Sequence, residues 1–171
     1  HGVAGYQYGR FHGGGGFSTY WEPEQAAQHF LRHGETSILA TPDYLIERDT
    51  LIKAVLNVRS AMKKAPTIKG IYMECPYINP SYGAHSDQNP WVNGVKEEDF
   101  IPLVDACGDA AKVWTIAPER EDLLPFLKYA KKVNPDTVFA LGHSEATPMQ
   151  VRALGKYQPT LMTHTMNATG R

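Results

Sequence analysis

Apolar positions along this chain follow two periods, and the two alternate. In "EPEQAAQHFLRHG", residues 22 to 34, Ala26, Ala27, Phe30 and Leu31 fall on one face of a helix, with Pro23 at an early helical position and Gly34 as its stop. The β-branched run "TSILATP" follows directly and predicts a strand. In "DYLIERDTLIKAVLNVRSAMKKA" Leu51, Val55, Val58 and Met62 repeat at helical spacing, and the strand-like "TIKGIYMECP" comes next. The alternation recurs: "KEEDFIPLVDACG" leads to "AKVWTIAPE", "EDLLPFLKYAKKVNP" to "TVFALGHS", and "TPMQVRALGKYQ" to "PTLMTHTMNA". Strands separated by helices predict parallel βαβ units, because parallel neighbours need a long crossover.

Two architectures accommodate that order, a doubly wound open sheet and a (β/α)8 barrel, and the polar residues choose between them. Glu74, His143 and His164 each stand at or just past the C-terminal end of a strand. In a barrel those ends converge on one mouth, where active sites are built, whereas an open sheet spreads them apart. A single histidine after a strand is more often a capping or hydrogen-bonding residue than a ligand. Three such residues on three strands favour a divalent metal, since Glu with two His is a sound ligand set that leaves a position open for water. The expected fold is therefore α/β, of the (β/α)8 barrel type.

Composition narrows the partners. The chain has 171 residues, 42% hydrophobic and 20% charged, with 17 Lys+Arg against 18 Asp+Glu and a net charge of −1. That balance gives no reason to expect nucleic acid or an anionic membrane, and no run approaches the roughly 20 apolar residues that span a bilayer. Small molecules are the better expectation. Cys75 and Cys107 are too few for a disulfide framework and lack metal-finger spacing, so the default compartment is a reducing cytoplasm. The absence of an initiator Met before His1 hints at upstream chain.

With those residues in view, the sequence resembles a known family. "GIYMECPYINPSYGAH", "TIAPE", "ALGHSEAT" and "THTMNA" look like the successive signatures of the N-acetylglucosamine-6-phosphate deacetylases, a branch of the metal-dependent amidohydrolases, in the same order and spacing. The opening "HGVAGYQYGRFHGGGGF" is similar to the glycine-rich segment after the family's first strand. The resemblance implies hydrolysis of the N-acetyl group of N-acetylglucosamine 6-phosphate by a metal-activated water. The metal is zinc by preference, with iron or manganese as alternatives. Glu74, His143 and His164 become the ligands, and His1 a fourth for a second metal. Ala84 and His85 would reach the sugar, and Asn167 and Ala168 its phosphate. Arg171 would stand in for a phosphate-gripping arginine.

The resemblance also implies what this chain does not carry. The family's general-base Asp ends the last barrel strand and is expected beyond Arg171. Residues 1–171 are then one catalytic-domain fragment holding about strands two to six, with the first and last strands missing. Such a fragment is expected to lack turnover alone and to form a homo-oligomer. Glu119 and Glu145 are poor substitutes for the base: Glu119 reads as structural, and Glu145 as a capping or solvent-facing residue in the first helical turn. Cys75 stands where the family has Gly. The loop from Cys75 to about Lys96 is long and carries Tyr77, Tyr82 and Trp91, which points to a binding role. Two other readings remain: an amidohydrolase for another acylated amine or cyclic amide, and a metal- or sugar-binding remnant without catalysis.

Overall fold

The computed structural model describes residues 2–3, 6–7, 17–18, 22–42, 46–74, 76–83 and 88–167. A small sheet is formed by β1 (Gly2–Val3), β2 (Tyr6–Gln7) and β3 (Phe17–Ser18). The main sheet has five strands, β4 (Ile38–Ala40), β5 (Ile68–Met73), β6 (Ala111–Ile116), β7 (Val138–Leu141) and β8 (Leu161–Met162). Between them run α1 (Pro23–Arg32, before β4), α2 (Arg48–Met62), α3 (Glu97–Cys107), α4 (Leu123–Val133) and α5 (Pro148–Ala153).

Strand order decides the architecture. Each strand pairs in parallel with its successor, in the order β4-β5-β6-β7-β8, with no reversal. A doubly wound sheet reverses at a switch point; this one winds in one direction, as a barrel does. Curvature is visible in the side chains as well. Tyr72 of β5 and Thr163, just past β8, have two strands between them, yet their hydroxyls meet at 2.7 Å. With strands about 4.8 Å apart, a flat sheet would hold those positions far out of hydrogen-bond reach. The sheet is curled into part of a (β/α)8 barrel.

The helices cover one face of the sheet. Phe126 of α4 lies edge-on to Trp114 at 5.2 Å, to Tyr77 at 5.1 Å and to Phe100 of α3 at 5.8 Å. Each such pair adds about 0.5–1.5 kcal/mol beyond area burial. Leu51, Val55 and Val58 of α2 are buried, as their spacing predicts, and Met62 is partly so. Gly34 has φ +91° just past α1, as a helix stop requires. Leu31 departs from expectation: it lies at the edge of the α1 stripe formed by Ala26, Ala27 and Phe30, and is exposed.

Pro102 sits inside α3, where it has no N–H to give the carbonyl of Glu98, one turn back. Arg48 Nη1 reaches that carbonyl at 3.4 Å and Asp99 Oδ1 at 3.3 Å, so a guanidinium from α2 serves the gap. Among the described residues no helix is long and apolar enough to cross a membrane.

Candidate metal centre

Side chains alternate along β5, so Tyr72 and Glu74 point to the face opposite the helices. Glu74 follows the last residue of that strand, and its carboxylate is 2% exposed. A buried carboxylate needs partners. Among the described residues, Glu74 Oε1 accepts from His143 Nε2 at 2.6 Å and from His164 Nε2 at 2.5 Å. The two rings meet edge to face, with centroids 5.0 Å apart.

Both histidines reach that point by the same backbone device. Each lies two residues beyond its strand, β7 or β8, and each has a left-handed backbone, φ +49° at His143 and +51° at His164. Such conformations cost a non-glycine residue of order 1–3 kcal/mol and collect at functional sites. Strain at both positions is incurred where it aims two imidazoles at one carboxylate oxygen.

The strands beneath are tightly packed. A Cβ on Gly142 would meet Thr163 Cβ at 2.6 Å and Thr115 Cγ2 at 2.9 Å, so only glycine lets β7 and β8 approach here. Thr163 Oγ1 bonds both Tyr72 Oη, at 2.7 Å, and Thr115 Oγ1, at 2.9 Å. That hydroxyl chain ties the residue before His164 to β5 and β6.

Around His143 the mouth loops are joined through Glu119. Its Oε1 accepts from Asn79 Nδ2 and from the Glu145 amide, each at 2.8 Å, and its Oε2 accepts from Ser144 Oγ at 2.6 Å. Both oxygens are engaged in holding loops, in keeping with the structural reading of Glu119. Glu145 is exposed and lies ahead of α5, whose N-cap is Thr147; it accepts from Tyr82 Oη at 2.8 Å, which raises the Tyr82 pKa. Glu145 thus faces solvent as expected, but from ahead of the helix rather than in its first turn, and the cap is Thr147.

The aromatic residues of the long loop also differ from expectation. Tyr77 and Trp91 are buried, and Trp91 Nε1 donates to the Ile46 carbonyl at 3.0 Å. Burial pushes the Tyr77 phenol well above its ordinary pKa. Arg120 stacks 5.5 Å from the Tyr77 ring and donates to the carbonyls of Ile78 and Trp91; burial lowers its pKa. These groups anchor the loop to the core, and Tyr82 is the one of the three that remains at the mouth.

Of the residues singled out in the sequence, Glu74, His143 and His164 come together, with ligand atoms within 4.8 Å of one another. The set suits a divalent cation: one hard carboxylate oxygen and two imidazole nitrogens. Glu74 and His143 are buried, while the His164 side chain is 29% exposed, so approach is from the His164 side. Asn167 is exposed, and its amide closes a turn onto the His164 carbonyl at 2.7 Å. His1, Cys75, Ala84, His85, Ala168 and Arg171 lie outside the described residues.

No protein-family model matches the chain, and no curated protein matches it by sequence. Solved structures do. An N-acetyl-D-glucosamine-6-phosphate deacetylase from Mycobacterium smegmatis superposes with a TM-score of 0.74 at 28% identity, over 91% of this chain and 40% of its own. An aspartate-to-alanine mutant of that enzyme, in complex with N-acetyl-D-glucosamine-6-phosphate, gives 0.74 at 25% identity over 94% and 42%. The Thermotoga maritima deacetylase gives 0.70 at 25% identity over 85% and 38%. The chain thus spans about two fifths of the length of the structures it matches. In fold and strand order it is a structural neighbour of the N-acetylglucosamine-6-phosphate deacetylases, with the architecture of part of their barrel.

Proposed function

We propose that residues 1–171 form one piece of a catalytic domain that hydrolyses the N-acetyl group of N-acetylglucosamine 6-phosphate, giving glucosamine 6-phosphate and acetate. The observation that carries this reading is the convergence of Glu74, His143 and His164 at the C-terminal ends of three strands of a barrel-type sheet. The solved neighbour that holds the phosphorylated amino sugar supports the substrate class.

Glu74 Oε1 and the Nε2 atoms of His143 and His164 would hold the ion, with zinc preferred for this donor set. When bound, such an ion polarises the acetamide carbonyl and lowers the pKa of water to about 7. The chain's own residues then have simple tasks. Glu74 supplies negative charge in a buried setting, where it counts for more than in water. His143, which is buried, and His164, which is partly exposed, would each hold the ion through Nε2. Asn167, just beyond His164 and exposed, would meet the sugar phosphate, and His1, Ala84, His85, Ala168 and Arg171 would complete the proposed ligand and substrate set. The proton transfer to the leaving amine requires a further carboxylate, and both oxygens of Glu119 are already committed. The two-cysteine composition favours a reducing compartment.

The test is metal content by elemental analysis, followed by calorimetric titration with N-acetylglucosamine 6-phosphate. About one divalent ion per chain is expected, with sugar-phosphate binding that depends on it. A chain that takes up no ion, or binds N-acetylglucosamine equally well with and without its phosphate, overturns the reading.

A further inference from the structure

We infer that Glu119 is a positioning residue for His143, acting as a carboxylate clamp across three mouth loops. The inference rests on the metal-centre reading and adds to it the residue that aims one ligand. Glu119 follows β6, and its partners come from the loops after β5 and β7: Asn79 on one side, Ser144 and Glu145 on the other. Those last two residues immediately follow His143. Asn79 completes the circuit, because its amide donates to the His143 carbonyl at 2.9 Å while its side chain donates to Glu119. The carbonyl of His143 and the two residues after it are therefore fixed, directly or through Asn79, by one carboxylate.

The left-handed backbone of His143 makes such fixing necessary. A residue at φ +49° relaxes to an extended or right-handed conformation unless its surroundings hold it. Either change would swing the imidazole away from Glu74. Ser144 is 5% exposed and Asn79 7%, so water replaces the clamp's hydrogen bonds poorly once the carboxylate is removed. His164 is held differently, through Thr163, Tyr72 and Thr115, and provides an internal reference.

The experiment compares Glu119→Ala and Glu119→Gln with the unaltered chain. Its first readout, in metal-free protein, is the pair of imidazole N–H proton resonances from the His143 and His164 bonds to Glu74. Glu119→Ala is expected to lose the His143 resonance to exchange and keep that of His164. Glu119→Gln, whose amide oxygen still accepts from Asn79 and Glu145, keeps both. An unchanged His143 resonance in Glu119→Ala overturns the inference, as does simultaneous loss of both resonances, which would mean general loosening. Its second readout is zinc affinity by chelator competition, expected to fall about 10–100-fold in Glu119→Ala and to recover in Glu119→Gln. Wild-type affinity in a Glu119→Ala chain whose His143 resonance is lost also overturns the positioning role. If the unaltered chain binds no zinc, the metal-centre reading fails, while the resonances still decide for or against Glu119. Should Glu119→Ala not fold, Ser144→Ala removes one arm of the clamp and is expected to weaken the same His143 resonance; no change there overturns the inference.

Discussion

His143 and His164 are equivalent positions of adjacent strands: two residues past β7 and β8, both left-handed, both donating Nε2–H to the same oxygen of Glu74. Ladder pairing of Leu141 with Met162 sets this equivalence, since it places Gly142 beside Thr163 and His143 beside His164. Backbone strain and side-chain aim are therefore linked, and substitutions can separate them.

Replacing His143 tests that link. His143→Asn and His143→Ala both remove the imidazole, so each is expected to weaken zinc binding by more than about 100-fold, beyond what loss of a supporting partner costs. Their stabilities should differ. Asn tolerates the left-handed region and Ala does not, so His143→Asn should unfold about 1 kcal/mol later than His143→Ala in a denaturant titration. Equal stabilities would mean that the left-handed backbone at φ +49° relaxes freely.

Gly142→Ala is expected to damage the centre without touching a ligand. Its Cβ would press on Thr163 and Thr115 at 2.6 and 2.9 Å, and overpacking of this kind costs typically about 1–3 kcal/mol. Relief requires β8 to move, and His164 moves with it, so zinc affinity should fall as well. Gly155→Ala supplies the contrast. Gly155 has φ +56° with nothing within 4 Å of an added Cβ, so only the backbone term of about 1–2 kcal/mol applies, and zinc affinity stays unchanged.

Much of this was legible in the sequence, for physical reasons that also mark where legibility ends. Five strands and the helices between them show as runs of different apolar period, and Glu74, His143 and His164 show because each ends such a run with a polar group. The supporting contacts do not. Glu119 meets Asn79 across 40 residues and Ser144 across 25, and Thr163 meets Tyr72 across 91; no local pattern encodes a meeting that depends on sheet curvature. Tyr77 and Trp91 misled for a related reason. Aromatic residues in a long loop suit either a ligand or the core, and here Phe126 and Ile46 draw them inward. The strands described before α1, at residues 2–3, 6–7 and 17–18, have two residues each, too short for any period to register.

Cys107 should give the stability a dependence on pH. It is fully buried, and loss of solvation pushes its thiol pKa well up, opposed weakly by Arg59. A folded-state pKa above the unfolded one means that the native chain binds the proton more tightly. The resulting stability is complete below the unfolded value of about 8.5 and declines as pH rises above it, by up to about 1.4 kcal/mol per unit. Unfolding free energies measured from pH 7 to 10 should fall over the upper part of that range, and Cys107→Ala should flatten the fall while lowering overall stability. A thiol reagent should leave native Cys107 unmodified at pH 7. Rapid modification of the folded chain would contradict the burial on which the pH argument rests.

Thr163→Val tests how β8 is held. Valine keeps the shape and removes the hydroxyl that joins Tyr72 to Thr115. Thr115 is 1% exposed, so its own hydroxyl is then left without that partner in a dry setting, a loss of about 1–3 kcal/mol. Tyr72 is only half-buried and can turn to water, so Tyr72→Phe should cost less, about 0.5–1.5 kcal/mol. The double variant Thr115→Val with Thr163→Val should be more stable than the sum of the singles implies, because it removes both members of a buried pair. A thermodynamic cycle in denaturant measures that coupling. Additive losses would mean that the two hydroxyls do not depend on each other, and that β8 is held by its ladder with β7 alone.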